Sequence, residues 1–116
     1  MTAPTWSAVD SDTADILDTV NADWLPFAPA ERIRIAAAIR SDAATHDGSV
    51  SPNRVRAALA ALPVAEQPKP QRVGPVYRAL CLAGMLQVDG WETSTDRHGR
   101  NSGKPSRRYR WIGWSL

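Results

Sequence analysis

Between Arg97 and Arg110 the chain reads "RHGRNSGKPSRRYR", with six cations (Arg97, Arg100, Lys104, Arg107, Arg108 and Arg110) and no acid. A guanidinium presents a planar fork of donors that matches two phosphate oxygens at once. Gly99, Gly103 and Pro105 would let such a loop lie close to a sugar–phosphate backbone. Arg or His on a loop of this kind can also enter a narrow minor groove, which adds His98 to the candidate contacts. A second group precedes it: Lys69, Gln71, Arg72 and Arg78 surround a helical pattern, and Arg and Gln are side chains that read base edges. Gln71 and Arg72 are the candidates for base contact. A third group, Ser51, Asn53 and Arg54, opens another helix, whose free N–H groups suit a phosphate. Ordinary helix capping is the other role open to Ser51.

The charge distribution points the same way. Residues 1–30 hold five aspartates and no Lys or Arg. Residues 69–116 hold nine cations against Asp89, Glu92 and Asp96, although the net charge of the whole chain is +2. Asymmetry of this kind is a signature of polyanion binding at the basic end. Other chemistries find no support. His46, His98 and Cys81 have no zinc-ligand spacing. The stretch "GPVYRALCLAG" lacks the Lys-Ser/Thr ending of a phosphate loop. Cys81 sits among Leu80, Leu82 and Ala83 and reads as a buried, inert thiol. The expectation is a protein that is not an enzyme and uses no cofactor or metal. A single cysteine excludes an internal disulfide, and no apolar run approaches the roughly 18–20 residues of a membrane span. The first residues, "MTAPTWSAVDSDTADILD", lack the basic and apolar regions of a secretion signal, so a cytoplasmic location with no membrane partner is expected.

These groups need elements to hold them. "SDTADILDTVNADW" spaces Ile16, Leu17, Val20 and Trp24 at helical intervals, and "LPFAP" breaks it. "PAERIRIAAAIRSDAATHDG" predicts a helix with Pro29 in its first turn and its end at Gly48. Ile35, Ala36, Ile39 and Ala43 form its buried stripe, with Glu31, Arg32 and Arg40 away from it. Ser49–Val50 is a candidate single-pair strand. "SPNRVRAALAAL" predicts a helix capped by Ser51, with Val55, Ala58, Leu59 and Leu62 inward and Pro63 as its stop. After the connector "VAEQPKP", "QRVGPVYRALCLAGML" predicts a third helix that closes on Gly84 in the left-handed conformation. Its start is open between Gly74–Pro75 as cap and first residue and an irregular first turn. "LQVDGWETST" and "RRYRWIGW" then predict an antiparallel hairpin, with Gly90 as a candidate bulge. Tyr109 and Trp111 share one face of the second strand, and Arg108, Arg110 and Ile112 the other.

Two stretches carry a family likeness. "RALCLAGMLQVDG" resembles the end of a recognition helix running into the first wing strand of winged helix-turn-helix domains. "GKPSRRYRW" is similar to the step that opens their second wing strand. From Arg72 to Trp111 the chain resembles small winged-helix proteins of actinobacterial phages and prophages, and the likeness extends over Pro29 to Gly113. It implies an α+β, mainly α fold: a three-helix core with a two-stranded β wing over residues 29–116. The extra acidic helix in an arm at 1–28, read from its own spacing, has no counterpart in the minimal family domain. The likeness implies a protein that binds double-stranded DNA and regulates transcription or replication for a phage or mobile element. The alternative is a protein-interaction adaptor that grips a host or phage protein. Three roles stand open for the arm: packing on its own domain, a homodimer or partner surface through Ile16, Leu17, Val20 and Trp24, or screening of the basic end.

Overall fold

Pro29 lies in the first turn of a 17-residue helix, α1 (Pro29–Thr45), where a missing N–H removes no helical hydrogen bond. The computed structural model describes residues 29–95 and 103–113. The arm with Ile16, Leu17, Val20 and Trp24, and the hairpin tip with Arg97, His98 and Arg100, lie outside the described residues. Asp47 and Gly48 turn α1 off through left-handed backbone, and the Gly48 N–H donates to the Ala43 carbonyl at 2.7 Å. The strand β1 (Ser49–Val50) follows at once, then α2 (Pro52–Ala60). Ser51 caps α2 as expected, in extended conformation, its hydroxyl accepting from the Arg54 N–H.

The connector after α2 is bonded rather than loose. It holds two short 3-10 turns, Val64–Glu66 and Pro70–Arg72. Gln67 donates through Nε2 to the Ala60 and Leu62 carbonyls, which closes the end of α2. Arg34 of α1 donates to the Glu66 carbonyl at 2.9 Å. The second 3-10 turn runs into α3 (Val73–Leu82), so of the two starts open in the sequence the irregular first turn is the one formed. Pro75 is the third residue of α3, among N–H groups that have no helical acceptor in any case. At the far end Gly84 adopts φ 77°, with Met85 N–H on the Leu80 carbonyl and Gly84 N–H on the Cys81 carbonyl. That pair of bonds is a Schellman close.

Strands β2 (Leu86–Thr93) and β3 (Pro105–Trp111) pair antiparallel, and β1 pairs with the other edge of β3. The sheet therefore has three strands in the order β1–β3–β2, one more than the two-stranded wing expected, because the extended residues before Ser51 reach Tyr109 and Arg110. Val88 pairs with Tyr109 and Trp91 with Arg107, so Asp89 and Gly90 together face Arg108. This is a bulge, with Gly90 at φ 99°. Three helices and an antiparallel sheet make an α+β fold, about half of its described residues helical.

The core runs from Ile35, Ile39 and Ala43 of α1 through Val50, Val55 and Leu59 to Val76 and Leu80 of α3. Leu86 and Trp111, paired across the sheet, close it from below. Arg32 corrects the expected pattern: it is 4% exposed rather than lying away from the buried stripe. The run Ile35–Ile39 is buried on every side, since α1 meets α2, α3, β1 and β3, and the alanines let these neighbours approach closely. An arginine one turn earlier is enclosed with them. Among the described residues no helix is long and apolar enough to cross a membrane.

Candidate nucleic-acid interface

Two basic surfaces leave this core, one on α3 and one on the β2–β3 hairpin. On α3 and the turn before it, Lys69, Gln71 and Arg78 are exposed, as is Leu82 at 68%. Arg78 and Leu82, one turn apart on α3, lie away from Val76, Tyr77 and Leu80, which face the core. Arg72 differs from its neighbours. It is half-buried, and its Nη1 donates to Glu31 Oε1 on α1. That pair fastens the entrance of α3 to α1.

The hairpin divides its cations in the same manner. Lys104 and Arg107 are exposed. Arg108 is half-buried, donating to Ser49 Oγ at 3.0 Å with Nε 3.5 Å from Glu92 Oε1. Arg110 pairs with Asp89 at 3.2 Å across the bulge and donates to the Asp47 carbonyl. Mutual bonds between Ser94 and the Lys104–Gly103 backbone, both 2.8 Å, set the root of the tip from which Arg97, His98 and Arg100 continue outside the described residues.

The start of α2 is occupied from within. Glu92 Oε2 accepts from the Ser51 hydroxyl at 2.8 Å and from the Asn53 N–H at 3.1 Å. Asn53 in turn donates to the Thr93 carbonyl and accepts from the Thr95 N–H. Arg54 makes a two-pronged pair with Asp42, at 2.9 and 3.1 Å, and Asp42 also accepts from the Ser51 N–H. A carboxylate already sits where a phosphate was expected at Ser51, Asn53 and Arg54. The residues are brought together, as a clasp between α1, α2 and the hairpin.

Trp91 is the residue that sequence reasoning left unassigned. It stands 64% exposed opposite Arg107, on the strand face that also carries Tyr109. Gly90 hinted at a bulge, but the side to which the next residue turns depends on the pairing register, and pairing is a long-range property. Tyr109 stacks on Tyr77 of α3 with centroids 4.9 Å apart and planes at 20°. Burial, more than the neighbouring Cys81, pushes the Tyr109 hydroxyl up from its ordinary value, against the pull of Arg107. Burial also raises the thiol of Cys81, which is half-buried, so it stays a protonated, poor nucleophile. Comparison with known proteins finds no family model, no curated protein and no solved structure that matches the chain.

Proposed function

We propose that this chain is a winged helix-turn-helix protein that binds double-stranded DNA, α3 entering the major groove and the hairpin lying on the adjacent backbone. The observation that carries the reading is that α3 and β3 share the walls of one groove and turn separate exposed cations to solvent, Arg78 on the helix and Arg107 on the strand. The order helix, short strand, helix, helix, hairpin, with β1 on the outer edge of β3, supports it. In this reading Gln71 and Arg78 meet base edges, and Lys69, Lys104 and Arg107 meet phosphates together with Arg97, His98 and Arg100. Arg72, Arg108, Ser51, Asn53 and Arg54 hold the scaffold. The biological role that fits is control of transcription or replication, of the kind phages and mobile elements carry.

A mobility-shift titration over salt tests the proposal. With about five phosphates neutralised, log K should fall against log salt with a slope of about −4 to −5. Replacing Lys104 and Arg107 by Ala should flatten that slope by about 2 and weaken all duplexes alike. Replacing Gln71 and Arg78 should instead alter which sequences a random duplex pool yields. A flat salt response, or affinity unchanged in the Lys104/Arg107 variant, refutes the interface and leaves the adaptor reading in its place.

A further inference from the structure

Two arginines line one cavity, and among the described residues no carboxylate pairs with either. The cavity, about 330 Å³, lies between α2, the first turn of α3 and β3, and its walls include Arg56, Gly74, Tyr77, Ser106, Arg107 and Tyr109. Arg54, Arg72, Arg108 and Arg110 each reach an acid. Arg56 donates instead to the neutral Asn53 Oδ1 and Thr95 Oγ1. Arg107 bonds the Tyr109 hydroxyl, and among the described residues neither guanidinium has an acid partner. Tyr77 supplies a second, independent sign. It is 6% exposed, and its buried hydroxyl finds no hydrogen-bond partner among the described residues. Gly74 leaves the space open, because a Cβ built there meets nothing within 4 Å.

A second hollow of about 350 Å³ continues the first along Arg56, Pro70 and Val73, and adds Leu59, Ala60 and Pro68. The combined groove is cationic and hydroxyl-bearing at one end and aliphatic at the other. Each hollow falls in the size range of small-molecule sites, in which a few polar groups orient a mainly apolar body. The two guanidiniums, one from α2 and one from β3, line the cavity without an acid partner among the described residues, and an anion between them would supply the missing acceptor.

We propose that this groove binds a small organic anion, its charged head between Arg56 and Arg107 and its flat apolar body along Val73, Pro70 and Leu59. The site shares its groove and Arg107 with the DNA reading, but its test contains no nucleic acid, so either can fail alone. Calorimetric titration of the full chain with cinnamate and with phenyl phosphate separates a carboxylate head from a phosphoryl one. Cinnamyl alcohol and inorganic phosphate serve as the uncharged and the bodiless controls. At least one organic anion should bind about tenfold or more tightly than both controls, as the loss of a charge-assisted contact implies. Arg56→Gln should weaken it by a similar factor, and Tyr77→Phe by a few fold with folding intact. In the unmodified protein, intermolecular proton contacts should join the bound probe to the Val73 methyls and the Tyr109 ring. Equal binding of the alcohol, equal binding of inorganic phosphate, or probe contacts elsewhere on the surface would each overturn the proposal.

Discussion

Glu92 shows how much one side chain can hold. Its carboxylate accepts from the Ser51 hydroxyl and the Asn53 N–H, and stands against Arg108. Glu92→Ala should therefore strand several half-buried polar groups and cost about 2–3 kcal/mol, read as a lower urea midpoint at constant slope. Glu92→Gln should cost less, since an amide oxygen in the place of Oε2 still accepts both bonds and only the charge pairing with Arg108 is lost. Equal midpoints for wild type and the alanine variant would mean that the clasp carries no stability. The same scale explains why sequence reading misjudged part of the candidate site. Arg72 and Glu31 are 41 positions apart, and nothing local to "PQRVG" says that this arginine will be half-buried against α1. Residue type identified the chemistry available to each side chain, whereas its partner was decided by packing.

At the scale of elements the local signals were legible where a backbone rule has few alternatives. Ser51–Pro52 opens α2, Gly84 closes α3, and Gly90 sits in the bulge, each because a cap or a positive φ admits few residue types. Gly84→Ala makes the point measurable. It has open space around its Cβ position, so the strain of φ 77° alone should lower stability by about 1–2 kcal/mol in thermal or urea unfolding. A variant as stable as the parent would show that the turn relaxes to another conformation. The partner of the short strand Ser49–Val50 and the 3-10 entrance to α3 were harder to read. Two residues such as Ser49–Val50 have no periodicity to display, and Pro75 restricts the backbone without saying which residue begins the helix.

Taken whole, the molecule joins its two basic surfaces through the stacked pair Tyr77 and Tyr109. Burial, ahead of nearby Asp42, holds the Tyr77 hydroxyl protonated well above its ordinary value near 10, and burial raises Tyr109 as well. The unfolded chain releases these protons at about pH 10 and the folded chain retains them. Stability contributed by the pair is thus fully present below about pH 10 and is lost as the pH rises beyond it. Urea unfolding between about pH 8 and about pH 11 should show that loss, and Tyr77→Phe should remove most of it while leaving neutral-pH stability nearly unchanged. An identical alkaline decline in the variant would assign the effect to other groups. The Glu92 clasp and the β1–β3 pairing also bear on the order in which the chain is made. Synthesis delivers α1, β1, α2 and α3 before Glu92 and Tyr109 exist, so the short strand then has no neighbour and the Asn53 N–H no carboxylate to accept from it. A nascent chain ending before the hairpin keeps that corner unpaired and exposed to other strands until the last segment arrives to close both at once.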